Sequence, residues 1–141
     1  MTKHRLLYLW ITALPLLFFL SAARAESGIK EGYDENTEIT VRGRVVGIER
    51  ERRGPVVVRM KGRGRPYKVI TAPPWYLSRE GLTFEPGMAL EVSGSKYFDR
   101  DGSLYIIGRS ITYLDTGRTA VLRDSYCKPL WNGPHHNRRR Q

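Results

Sequence analysis

A single short helix signal divides the strand-like segments of this chain into two groups. Pro73 and Pro74 suit the first turn of a helix, where an amide hydrogen is not needed, and Gly81 supplies a stop. Between them, residues 75–77 form a bulky apolar cluster on about two turns, which is too short for a helix that is stable alone. The pattern therefore predicts a helix held by tertiary packing, with Trp75 buried against the end of the neighbouring sheet.

Alternation of apolar and polar residues predicts strands on both sides of this helix. Three precede it and three follow it, over residues 37–49, 56–61, 67–71, 88–98, 103–114 and 118–123. Gly43 and Gly47 interrupt the alternation of the first strand, where a strongly curved strand would bulge, as a small barrel requires. The β-β-β-α-β-β order is that of the OB-fold. We therefore predict an all-β domain with one short helix, an OB-fold-like small barrel of five to six strands.

Four segments are predicted along the chain. The leader has a basic start, an apolar run over residues 6–20 and a small-x-small motif at residues 23–25, which is typical of a cleaved signal peptide and of export to the periplasm. The alternative is an anchor in the inner or an organelle membrane, although the run is shorter than the roughly 20 residues that span a bilayer. The predicted segments are a signal peptide or anchor (residues 1–25), a linker (26–36), the barrel (37–124) and a basic flexible tail (125–141).

The chain is strongly basic, and its cations concentrate in one region. It has 24 lysine and arginine residues against 14 aspartate and glutamate residues, a net charge of +10. The leader holds three of the basic residues and none of the acids, which leaves +7 after cleavage. In an OB barrel the first three strands form the usual ligand face, where cations follow an anionic polymer and aromatic rings stack on flat groups. The predicted ligand-binding face comprises Arg42, Arg44, Arg59, Lys61, Arg63, Arg65, Tyr67 and Lys68. The alternative interpretation is a solvated basic surface that serves solubility.

The sequence contains no catalytic constellation that we can identify. The first histidine after the leader is His135, so a Ser-His-Asp triad would depend on the tail. We expect a protein that is not an enzyme and has no cofactor. His135, His136 and Cys127 are weak candidates for metal ligands, because adjacent histidines do not form a closed coordination shell. Cys127 is the single cysteine, and the favoured interpretation is a small apolar side chain.

The layout of residues 38–131 resembles that of small exported bacterial OB-fold proteins. The resemblance is carried by residues 41–46 of the first strand, 73–77 of the helix, 90–95 of the fourth strand, and 122–124 with 129–131 at the end. Some magnetosome-associated proteins are similar in size and layout, which would imply a role in mineral or membrane assembly. Stress-linked periplasmic OB-fold proteins are similar in architecture. Haem-carrying chaperones of cytochrome c maturation are also similar in organisation, but their tail has a tyrosine four residues after a histidine, where this chain has Arg139 and Arg140.

These features predict an exported, non-enzymatic OB-fold binding or accessory protein that acts on a protein partner or an anionic surface in the cell envelope. One alternative is a binder of single-stranded nucleic acid or another polyanion. Nucleic acid is the less favoured partner, because export removes its usual supply. The other alternative is a protein that handles metal or haem, or that assists magnetosome mineral assembly. A membrane is an expected partner only if the leader is not cleaved.

Overall fold

The computed structural model describes residues 32–133 of the chain. The predictions for the leader, for residues 26–31 of the linker and for residues 134–141 of the tail, including His135 and His136, lie outside the described residues. Within them, no helix is both long enough and apolar enough to cross a membrane. The elements are β1 (Glu38–Glu49), β2 (Val57–Lys61), β3 (Tyr67–Ile70), α1 (Pro74–Arg79), β4 (Ala89–Phe98), β5 (Leu104–Tyr113) and β6 (Thr119–Val121), with 3-10 helices at Glu35–Thr37 and Leu130–Asn132.

The strands close into a barrel through one parallel pairing. Hydrogen bonds link the strands in the order β3-β2-β1-β4-β5-β6, and β3 also pairs with β5. The β3–β5 contact is parallel and runs from Tyr67 opposite Leu104 to Ile70 opposite Ile107. Five strands therefore form a closed circuit, and β6 extends the sheet from β5. This circuit, with a helix between β3 and β4, has the topology of the OB-fold and confirms the predicted fold class.

The long strand β1 pairs with two neighbouring strands, β4 and β2. Its first half pairs with β4, and its second half pairs with β2 from Arg44 opposite Lys61 onward. The register of the second half shifts between Val45 and Gly47, so Val46 is an extra residue in a bulge, as predicted next to Gly47. The β1–β4 register passes Gly43 without a shift. The bulge bends β1 so that one strand can reach both sides of the circuit.

The core fills the barrel from alternate positions of each strand. Its fully buried members include Val45, Met60, Val69, Leu90, Val92, Ile106, Ile111 and Leu122. The helix α1 adds Tyr76 and Leu77, which are 4% and 5% exposed. Trp75 is 41% exposed, so the prediction that it is buried is wrong. Three consecutive residues of a helix span about 200° around its axis, and α1 turns Tyr76 and Leu77 inward instead.

The two ends of the described chain pack together on the barrel. The amide of Asp34 donates to the hydroxyl of Ser95 in β4 over 3.1 Å. The guanidinium of Arg123 is buried between the rings of Tyr33 and Trp131, with its carbon 5.4 and 5.6 Å from the ring centroids. Residues 125–133, where the predicted tail begins, carry a bridge partner of Arg123 and the second 3-10 helix. The barrel and these segments belong to the compact unit that begins at Gly32.

Candidate functional site

Four exposed cations lie together where β1, β2 and the loop before β3 meet. Arg44 is opposite Lys61 in the β1–β2 ladder, and Arg63 and Arg65 follow on the loop to β3. Arg44 donates from Nη1 to the carbonyl of Gly87 over 2.9 Å. Among the ion pairs of residues 32–133, none joins these four cations to a carboxylate. We call Arg44, Lys61, Arg63 and Arg65 the basic surface.

The other three predicted cations have intramolecular carboxylate partners. Arg42 forms an ion pair with Glu91 of β4. Arg59 and Lys68 are neighbours in the β2–β3 ladder and share Glu49, with each nitrogen 3.4 Å from Oε1. Exposed pairs of this kind contribute little to stability, but the carboxylates reduce the positive potential around the three cations. The structure therefore divides the predicted face into a part whose three cations lie beside two carboxylates and the basic surface, whose cations have none among the described residues.

A row of stacked side chains continues outward from Lys68. The ammonium of Lys68 lies 5.5 Å from the ring centroid of Tyr105, which stacks on Tyr97 at 5.2 Å with an interplanar angle of 11°. Partial burial acts to lower the pKa of Lys68, but Tyr105 and Glu49 outweigh it, so the net direction is upward. Burial, followed by the neighbouring Tyr105, raises the pKa of Tyr97 to about 12. Lys68 is therefore charged, and Glu49 and Tyr105 hold its ammonium in place.

Tyr67 does not belong to the exposed face, and that part of the prediction is wrong. Its side chain is 6% exposed and packs in the core. The phenol points across the barrel towards Gly43, and among the described residues its hydroxyl has no hydrogen-bond partner. Burial raises its pKa. Side chains alternate along a strand, so Tyr67 and Val69 face the interior while Lys68 faces outward.

Phe98 is an exposed aromatic residue at the edge of the basic surface that the sequence analysis did not select. It ends β4, and its side chain is 56% exposed. The guanidinium carbon of Arg65 lies 5.7 Å from the centroid of its ring. The sequence signal that could have identified it is an aromatic residue directly before the Asp-Arg-Asp-Gly turn of residues 99–102, where a strand leaves the barrel.

The sequence of this barrel matches the profile of a known protein family. Residues 37–116 match the profile of the MamS/MamX magnetosome protein family. The chain belongs to this family. The matched segment runs from the start of β1 to just beyond β5, so the MamS/MamX profile coincides with the closed barrel.

The fold of this MamS/MamX member is shared by proteins of known structure. No curated protein matches the chain. Among solved structures, 78 chains match. One belongs to the crystal structure of the Stn1-Ten1 complex of S. pombe, with 18% sequence identity and a TM-score of 0.43. That match covers 63% of this chain and 60% of the Stn1-Ten1 chain, so this chain spans less than two thirds of its neighbour.

Cys127 lies beyond the segment that matches the MamS/MamX profile. Cys127 is 9% exposed, and its thiol donates to Oε1 of Glu35 over 3.1 Å. Burial and the Glu35 carboxylate raise the pKa of this thiol, so it is protonated at neutral pH. Among the described residues, no group of three or more histidine, cysteine, aspartate and glutamate side chains could hold a metal ion. His135 and His136 lie outside those residues.

Proposed function

We propose that this MamS/MamX protein is a non-enzymatic accessory protein of magnetosome assembly whose basic surface binds an anionic surface in the cell envelope. The family match supports the magnetosome context. The leader supports export, because it has the order of a signal peptide. The binding role is supported by one observation above all, which is the contrast between paired and unpaired cations on a single face.

Arg42, Arg59 and Lys68 lie beside carboxylates of their own barrel. The four residues of the basic surface have no such partner within residues 32–133, although all four are exposed. An anionic ligand would therefore meet these charges without first displacing a carboxylate. Such binding releases counterions from the ligand, so its affinity falls steeply with salt.

The test uses residues 26–141, the product of the predicted cleavage, which contain the whole compact unit. Binding to a heparin-like polysaccharide and to anionic vesicles is measured at several salt concentrations. We expect binding at low salt that weakens as salt rises. Lys61→Glu with Arg63→Glu should reduce the affinity at least tenfold, because it replaces two cations of the basic surface.

The matched control is Arg52→Glu with Arg53→Glu, which makes the same change of charge in the loop between β1 and β2, at the other end of β2. It should reduce the affinity less than threefold. Equal losses of affinity in the two double variants would show that binding depends only on the net charge of the protein, and would contradict a defined binding site. No binding to either ligand at low salt would overturn the proposal and make a protein partner the leading candidate.

A further inference from the structure

Phe98 projects from the barrel at a point where an aromatic ring has little structural role. Tyr97 pairs with Tyr105 on the outside of β4 and β5, and the next pair, Phe98 and Leu104, is the last of the ladder. Leu104 packs against the core, whereas Phe98 is 56% exposed. The contact with Arg65 places the ring directly beside the basic surface.

The charges around this ring are mainly positive. The four cations of the basic surface are joined by Arg100 in the turn that follows Phe98. Two carboxylates lie in the same turn and oppose them. The Asp99 carboxylate accepts a hydrogen bond from the amide of Arg100 over 2.7 Å, and the Asp101 carboxylate accepts one from the amide of Ser103 over 2.8 Å. Both carboxylates therefore stabilise the turn. The basic surface and this turn together hold five cations against two carboxylates, and Arg65 is the cation that contacts the exposed phenyl ring.

A soluble polyanion would use only the cations of this arrangement. An anionic bilayer would use both components, because it presents negative headgroups above an apolar interior. An exposed apolar side chain flanked by arginine and lysine therefore matches the boundary between headgroups and acyl chains. The end of a β-hairpin, where the turn is already hydrogen-bonded, presents such a side chain without a new segment having to become ordered.

We propose that the loop between β2 and β3 and the turn between β4 and β5 dock on an anionic lipid bilayer, with Phe98 inserted below the headgroups. This inference rests on the proposed function and names the bilayer as the anionic surface. The cations set the attraction and its salt dependence, and the phenyl ring selects a membrane over a soluble polymer.

The test compares two probes with the same protein, residues 26–141. Vesicles of phosphatidylglycerol and phosphatidylcholine are used in co-sedimentation, and a heparin-like polysaccharide is used in a parallel titration. Phe98→Ala should weaken vesicle binding at least fivefold and leave heparin binding within twofold. Phe98→Leu should retain most of the vesicle binding, because the role requires an apolar side chain and not an aromatic one.

Tyr126→Ala is the matched control, since Tyr126 is an aromatic residue that is 80% exposed and lies outside the basic surface. It should leave both affinities unchanged, and thermal melts should show that each variant is folded. An unchanged vesicle affinity in Phe98→Ala, or equal losses for vesicles and heparin, would overturn the inference while the proposed function stands. Wild-type binding to heparin but not to vesicles would also overturn it, in favour of a soluble polyanion. Binding to neither probe would overturn the proposed function itself.

Discussion

Gly94 and Gly108 lie directly opposite each other in the β4–β5 ladder, where the register of the two strands shifts. A Cβ atom on Gly94 would lie 2.1 Å from the carbonyl oxygen of Ile107, so backbone and not a flexible side chain would have to move. We expect Gly94→Ala to lower the free energy of unfolding by about 2–3 kcal/mol in urea denaturation. Gly64→Ala is the control, because nothing lies within 4 Å of its added Cβ, and its effect should stay within about 0.5 kcal/mol. Similar small losses in both variants would contradict the close approach at Gly94.

The buried hydroxyl of Tyr67 leads to a second prediction. Within the described residues it has no hydrogen-bond partner, and an unsatisfied buried polar group costs about 1–3 kcal/mol. Tyr67→Phe should therefore raise the free energy of unfolding by about 1 kcal/mol, measured by denaturant melts. Tyr113→Phe should lower it by about 1 kcal/mol, because the Tyr113 hydroxyl donates to the carbonyl of Thr83 over 3.0 Å. A destabilised Tyr67→Phe variant would show that the hydroxyl has a partner after all.

The helix α1 contains two apolar residues, Leu77 and Trp75, that differ in their burial. Leu77 is 5% exposed and belongs to the core, so Leu77→Ala should cost about 2–5 kcal/mol of unfolding free energy. Trp75 is 41% exposed, and its ring packs edge-on against Tyr76 and lies under the guanidinium of Arg79. Trp75→Ala should cost less than Leu77→Ala, although its ring is larger. The reverse order in thermal or urea melts would restore Trp75 as the residue that anchors α1.

The carboxylate of Glu38 gives a pH-dependent prediction. It accepts hydrogen bonds from the phenol of Tyr33 and from Nη1 of Arg109, and the first of these is the main reason that its pKa lies below the ordinary value of 4.5. A lowered pKa stabilises the fold above the unfolded pKa, and the contribution disappears as the pH falls through the folded pKa. Glu38→Gln should thus be less stable than wild type at pH 7, and the difference should shrink below about pH 4.5. Urea melts at pH 7 and pH 3 measure it, and a difference that does not depend on pH would refute the ionic role. Glu51→Gln, in the exposed loop between β1 and β2, is the control.

Local pattern was sufficient for the strands and for the fold. Alternating residues predicted β1 over 37–49 and β5 over 103–114, within one residue of the observed Glu38–Glu49 and Leu104–Tyr113. The bulge next to Gly47 was predictable because a glycine broke the alternation. These features depend on residues that are close in the chain, whereas closure of the barrel joins distant residues and was expected because the element order is that of the OB-fold.

The candidate site was predicted less well, because it depends on contacts between distant residues. Glu49 pairs with both Arg59 and Lys68, which lie 10 and 19 positions later, and no local pattern reveals that pairing. Tyr67 was an avoidable error, since strand alternation does not allow it to share a face with Lys68. For Trp75, three adjacent apolar residues on a short helix leave open which of them faces the core.

The parallel pairing of β3 with β5 also covers a strand edge that would otherwise be open to aggregation during folding. Until β5 arrives, the outer edge of β3 presents unpaired backbone groups that can pair with another molecule. Strands β1 to β3 emerge first during synthesis, and they remain an open three-stranded sheet for as long as residues 104–107 are delayed. Neither part of a chain cut between α1 and β4 would have a closed sheet. The first fragment would expose the edges of β1 and β3, and the second would hold β4 and β5, which pair with those edges. We therefore expect the two fragments to associate with each other in preference to pairing with strands of other proteins.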